Sequence, residues 1–306
     1  MTARGERLPV VLVGAGAVGA ALGRAAVSAG WPLAAVVCRQ AARARDRRAL
    51  VGAGTPLSLT ELLGSTPLPP EEARLLLLCV PDREIAPLAV RLAGRTWPPG
   101  SVALHVSGSV PVSALEPLAA AGLATGGLHP LHSFVDPERD AESLAGSVAA
   151  LEGEAAALAV AREFAAVLRL QAFVLAPGTR ALWHAAAAHA CNHLVALVAQ
   201  SLELLARAGL PEPQARAALL PLLRGTLENL AAHPPAAALT GPIARGDDAV
   251  VAGHLAALAT AEPDISAAYR ALAQRAFRLA VERGLADDRR LALAALLLPA
   301  RPEARP

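Results

Sequence analysis

Through the first half of the chain, short unbroken apolar runs alternate with helical patterns. LPVVLVG (Leu8–Gly14), PLAAVVC (Pro32–Cys38), RLLLLCV (Arg74–Val80), SVALHV (Ser101–Val106) and GLATGGL (Gly122–Leu128) read as strands. Runs of this length that do not alternate with polar residues suit strands buried on both faces. Helical patterns lie between them near 17–29, 40–50, 83–94 and 111–121. This alternation predicts right-handed crossovers and a doubly wound α/β fold with a parallel sheet. Two further strands, near 148–152 and 172–175, flank a helix at 153–169 and extend that sheet. From Pro177 onward only helical patterns follow, over 179–208, 212–232, 247–260, 262–283 and 289–298, separated by Gly/Pro turn and cap signals. The expected organisation is a sheet domain over 1–176 and an all-helical C-terminal domain over 177–300. The polar, proline-rich tail at 301–306 is expected to be disordered.

Composition narrows this picture. Of 306 residues, 54% are apolar but only 3% aromatic, so the core must be built from Ala, Leu and Val. A net charge of +2, from 28 basic and 26 acidic residues, speaks against a nucleic-acid partner. Every basic residue is arginine, so no mechanism can draw on a lysine of this chain. Cys38, Cys79 and Cys191 form no CxxC pair, which fits a reducing cytoplasm. No window approaches the roughly 18 uninterrupted apolar residues of a membrane span, so no membrane partner is expected.

The first strand carries the most specific chemistry. VVLVGAGAVGAALGRAA places Gly14, Gly16 and Gly19 directly after an apolar run and at the start of a helix. The first glycine permits a tight turn, the second lets backbone approach a pyrophosphate, and the third lets helix and strand pack closely. Gly14, Ala15, Gly16, Ala17, Val18 and Gly19 are therefore expected to cradle a dinucleotide on a Rossmann sheet. An NAD site usually has Asp or Glu at the end of the second strand. Here Arg39 stands there with Arg43 and Arg45 behind it, which favours the 2′-phosphate of NADP.

Ligands of open α/β sheets lie outside the carboxyl ends of the strands. Those ends bring Val80, Pro81 and Asp82, then Ser107 and Gly108, then His129, His132 and Ser133 to one edge. Singly they are ordinary, since Asp82 would serve as a helix N-cap and Ser107 as a turn former. No HExxH, paired-Cys or carboxylate–His spacing accompanies the histidines, so no metal is expected.

The stretch TRALWHAAAAHACNHL (Thr179–Leu194) puts three histidines and an asparagine on an alanine helix. At about 100° per residue, His189 and His193 share a polar stripe with Gln200 and Arg207 and read as solvated. His184 and Asn192 bracket a stripe of Ala188, Val195 and Ala199, where either a substrate or a core hydrogen bond would satisfy them. Separated by about 12 Å of rise, they would line opposite ends of one site. Farther on, LTGPIARGD offers Thr240, Gly241 and Arg245 as a binding place for a small-molecule carboxylate substrate, with Asp247 as an N-cap. An ordinary interhelix loop reads equally well.

The order GxGxxG, VPD, SGS, HPLHSF, HAAAAHACN and LTGPIARGD resembles Rossmann-like oxidoreductases with a C-terminal helical domain of unknown function, relatives of ketopantoate reductases, pyrroline-5-carboxylate reductases and β-hydroxyacid dehydrogenases. The resemblance implies NADPH-dependent reduction of a small oxo acid, ketopantoate-like, or of an imino acid. In it, Asn192 stands where the wider superfamily has the asparagine of a Lys-x-x-x-Asn helix motif. The lysine position is Ala188, so the proton donor would have to be His129, His184 or His132, with Asn192 holding the substrate and Ser107 nearby. Two alternatives stay open: an NADP-binding sensor without turnover, and a deazaflavin-dependent reductase. The Ala- and Leu-rich helical half is expected to form a homodimer.

Overall fold

The computed structural model describes residues 7–64 and 74–298; the expected tail at 301–306 lies outside them. The sheet is built from β1 (Val10–Val13), β2 (Leu33–Cys38), β3 (Thr55–Ser58), β4 (Leu75–Leu78), β5 (Val102–His105), β6 (Ala124–Pro130), β7 (Val148–Gly153) and β8 (Gln171–Val174). Helices α1 (Ala17–Ser28), α2 (Ala41–Val51), α3 (Leu59–Leu63), α4 (Asp82–Ala93), α5 (Glu116–Ala120), α6 (Pro137–Ser143) and α7 (Ala155–Val167) connect them. The strand order is β3-β2-β1-β4-β5-β6-β7-β8. Every neighbouring pair is parallel except β6 and β7, which run antiparallel because the chain turns back through α6 without a full crossover. The expected doubly wound sheet is therefore correct in kind, with one reversed strand pair.

Strand periodicity explains the burial. On β1, Val10 and Leu12 face one core with Leu22, Trp31 and Phe164. Val11 and Val13 face the other, with Ile85, Leu88 and Leu115. Both faces are buried, so the strand reads as a continuous apolar run, as the sequence suggested. Phe164 meets Trp31 edge-on at 5.1 Å, a large share of the few aromatic contacts such a composition allows.

The remaining helices are α8 (Arg180–Ala190), α9 (Asn192–Arg207), α10 (Glu212–Ala232), α11 (Pro235–Ala238), α12 (Gly241–Arg245), α13 (Asp248–Leu258), α14 (Pro263–Glu282) and α15 (Asp287–Leu297). The expected single helix over 179–208 is two helices, broken at Cys191, whose φ −105° and ψ −65° depart from helical values. The chain divides into two compact units, Met1–Asn192 and His193–Pro306. In the second, Ile243, Val251, Phe277 and Leu293 form a core of their own. Among the described residues no helix is long and apolar enough to cross a membrane.

Candidate functional site

In the first unit, the turn after β1 opens a cradle. Gly14 has φ +90°, and a Cβ there would lie 2.5 Å from the Cys79 carbonyl oxygen. A Cβ on Gly19 would collide with the Gly14 carbonyl oxygen and Cys79. Those two glycines are demanded by the fold itself. Gly16 is different: it caps α1 without any side-chain bond, and a Cβ on it would meet no atom of the described residues within 4 Å. The open space over Gly16, beside the unpaired amides that begin α1, has room and polarity for a pyrophosphate.

Three hollows meet along this rim. The first, of about 680 Å³, is lined by Gly14, Gly16, Arg39, Arg43, Glu84 and Arg91. Arg39 is 83% exposed and only distantly paired with Glu84, at 3.9 Å. It therefore keeps donors for a ligand. The second hollow, of about 460 Å³, shares Gly16, Val80 and Pro81 with the first and reaches Ser107, His129 and His184. The third, of about 510 Å³, shares His129 and His184 with the second and ends at Cys191 and Asn192. Asn192 is exposed there.

At the junction, the rings of His129 (β6) and His184 (α8) stand edge to face, 5.7 Å apart. Gly108 lies against both imidazoles, where any Cβ would clash. Burial, then the neighbouring His184 and Arg180, pushes the His129 imidazole down to about 4, with Asp82 opposing. The ring is neutral at pH 7 and carries a single N–H. The Trp183 indole N–H donates to His129 Nδ1 at 3.2 Å. His184 Nδ1 is buried without a hydrogen-bond partner among the described residues.

Several expected residues have other duties. Ser107 Oγ accepts from the amides of Ser109 (3.1 Å) and Val110 (3.0 Å), closing the turn after β5 while still lining the second hollow. Asp82 is the first residue of α4, with Pro81 as the N-cap, and its carboxylate accepts from the Ser109 hydroxyl at 2.5 Å. His132 lines the hollows, but Ser147 and Ser143 hydroxyls sit at 3.2 and 3.4 Å from its two ring nitrogens. Cys38 and Cys79 are buried small hydrophobes, and burial pushes the Cys79 thiol far up. His189 and His193 are exposed, as the polar stripe implied.

Thr240, Gly241 and Arg245 belong to the second unit. Thr240 caps α12 without a side-chain bond, and Gly241 has φ +85°. The Arg245 guanidinium holds Asp247 at 2.8 Å, which leaves Asp247 as an N-cap residue whose carboxylate does not cap.

Three residues that sequence reasoning passed over complete the rim. Arg180 is 5% exposed, binding Glu152 Oε2 at 2.6 Å and the Ser107 carbonyl at 2.7 Å. Trp183 stacks on Phe173 at 5.7 Å. His105, at the end of β5, is fully buried, with neither ring nitrogen bonded among the described residues; burial first, then Arg180, depresses it to about 3. A histidine inside an otherwise apolar strand was the available signal for His105. Arg180 was hidden among 28 arginines. Among the described residues no group of three His, Cys, Asp or Glu side chains could hold a metal ion.

Comparison with known proteins agrees with this architecture. Residues 2–130 match a Rossmann-like domain, and residues 147–276 match a domain of unknown function, DUF2520. No curated protein matches by sequence. A structure from Bacteroides fragilis named "putative NADP oxidoreductase" is 24% identical, with 89% of this chain and 98% of that one aligned at TM-score 0.71. A pyrroline-5-carboxylate reductase of Coxiella burnetii is 12% identical, covering 91% and 97% at TM-score 0.60. An imine reductase of a Pseudomonas species is 20% identical, covering 95% and 100% at TM-score 0.54. These likenesses establish a shared fold.

Proposed function

We propose that this chain, a Rossmann-like domain joined to a DUF2520 domain, is an NADPH-dependent reductase of a small molecule with a C=N or C=O bond. The observation that carries the reading is the run of three hollows, from the arginines around Arg39, past the open Gly16 turn, to the His129–His184 pair and Asn192. When bound, the dinucleotide supplies the hydride. Backbone of Gly14–Gly19 would hold its pyrophosphate, and Arg39 and Arg43 its 2′-phosphate. Val80 and Pro81 wall the passage toward the histidines. Asn192 would hold the substrate at the far end, and His129 would offer an N–H to the atom that gains electron density.

Within that class an imine is favoured over a ketopantoate-like oxo acid. The third hollow is lined by His, Asn, Trp, Ser and apolar residues, with no arginine to clamp a carboxylate. A protonated C=N bond also carries its own proton into the site, so the missing lysine matters less. Arg245, the expected clamp, is engaged with Asp247 in its own unit.

A panel of cyclic imines and 2-oxo acids, assayed with NADPH and with NADH, tests the reading. The expected result is turnover of an imine with NADPH preferred, and a preference reduced about tenfold in Arg39→Ala, worth about 1.4 kcal/mol. Tight NADPH binding without oxidation across the panel would instead mark the chain as a dinucleotide sensor. Deazaflavin binding tighter than NADPH would replace the cofactor assignment.

A further inference from the structure

Arg180 opens α8, and Trp183 follows it by one turn. Each reaches back to the strand ends. Arg180 lies between the Glu152 carboxylate at the end of β7 and the Ser107 carbonyl after β5. Its third nitrogen is buried without a partner among the described residues, and it sits where a Cβ on Gly127 would come within 2.6 Å. Trp183 is steadied by its stack on Phe173 and donates to His129. An indole N–H can only donate, so the nitrogen it faces must be the bare one. A neutral His129 ring therefore carries its proton on Nε2. That edge of the ring faces Gly108 and lines both the second and the third hollow, and Nε2 has no hydrogen-bond partner among the described residues.

We propose that Trp183 and Arg180 are positioning residues that hold His129 as an Nε2–H donor aimed into the reaction hollow. The proposal rests on the reductase reading for its consequence, but not for its geometry. Trp183 selects the tautomer. Arg180 pins the start of α8 to two strand ends, which fixes where Trp183 and His184 stand, and its charge opposes protonation of the ring. The other groups facing His129 are His184 on α8, Asp82 on α4 and His105 on β5; Glu152 partners Arg180. Of these only Asp82 favours the imidazolium. The resulting donor is a weakly polarised N–H held in place before the substrate arrives. It can donate to the atom that gains the electron pair without first having to be protonated. This replaces a lysine with a group whose usefulness does not fall as pH rises through neutrality.

The test is imidazole nitrogen NMR on the full-length chain labelled at histidine, with His129 assigned by the signal lost in His129→Gln. In the parent protein His129 is expected as a single Nε2–H tautomer from pH 8 down to about pH 5. Trp183→Phe, which keeps the stack on Phe173, is expected to give a mixture with an Nδ1–H form. Arg180→Gln, which keeps donors for Glu152 and Ser107 but removes the charge, is expected to move the His129 midpoint up toward the ordinary histidine value. With an active substrate, Trp183→Phe is expected to lower kcat about tenfold while leaving the NADPH KM within twofold. A parent protein with Nδ1–H at His129 overturns the proposal, as does an unchanged tautomer in Trp183→Phe, whatever the activity. Absence of turnover with the tautomer behaving as stated overturns the reductase reading instead.

Discussion

Gly16 and Gly19 stand three residues apart in one turn, yet opposite things are asked of them. Gly19 is required by protein atoms, since any side chain would press on the Gly14 carbonyl and Cys79. Gly16 is required by nothing among the described residues, so its missing side chain serves whatever lies over the turn. Gly19→Ala is therefore expected to destabilise the fold by about 1–3 kcal/mol, the usual cost of overpacking. Gly16→Ala is expected to leave the melting temperature within a degree or two and to weaken NADPH binding at least tenfold. Thermal melts paired with NADPH titration separate the two, and a Gly16→Ala protein that binds as the parent does would remove the cradle. His105 supports a second residue-level prediction. Its ring stays neutral in the native state down to about pH 3, whereas the unfolded chain takes up the proton near pH 6.5. The unfolded state thus binds more protons between those values. The stability this provides is complete above about pH 6.5 and is lost as pH falls toward 3. His129, depressed to about 4, acts with the same sign. Each contributes a slope of at most about 1.4 kcal/mol per pH unit. His105→Leu is expected to lose one such slope, so that at pH 4 it exceeds the parent by about 3 kcal/mol in urea unfolding, with little change at pH 7. An unaltered acid slope would show that His105 is solvated in the native protein.

Among the elements, legibility followed the physics of each signal. β1, β2, β4 and β5 were readable because strands buried on both faces are apolar almost throughout, His105 being the exception. β3, a half-buried TPLS at the sheet edge, carries neither an apolar run nor alternation, and its proline is permitted only because the edge needs fewer donors. Alanine propensity correctly made 180–207 helical but is a per-residue preference, blind to the break at Cys191, which no glycine or proline marks. That break voids the single helical wheel drawn through His184 and Asn192, although both do line one hollow. The glycine turn and the strand-end residues His129, Val80 and Pro81 were legible because sheet topology sends strand ends to one rim. The Arg180–Glu152 and Trp183–His129 contacts were not, since they join positions 28 and 54 residues apart through the packing of α8 on the sheet. Spacing within a sequence says nothing of such contacts.

At the scale of the whole molecule, α9 and α10 bury few side chains among the described residues. α9 has 16 residues and none is buried; α10 has 21 and only Ala215 is buried. Helices of this kind draw most of their stability from an apolar face packed against something. Here apolar side chains stay open around the helices: Val195 on α9 is 68% exposed, and on α10 Leu222 is 66% and Leu227 56% exposed, with Leu220 and Leu230 also exposed. We propose that a second copy of the chain covers these side chains, because the same exposed residues on each copy supply matching apolar area by symmetry. Light scattering is expected to give twice the 31.1 kDa chain mass at micromolar concentration. Leu222→Glu combined with Leu227→Glu places charges in the middle of the proposed interface. That variant is expected to shift the protein to monomer and to melt α9 and α10 while the sheet unit keeps its fold and its NADPH affinity. A parent protein that is monomeric, yet has fully protected α10 amides in hydrogen exchange, would show that these helices are stable without a partner and would remove the dimer.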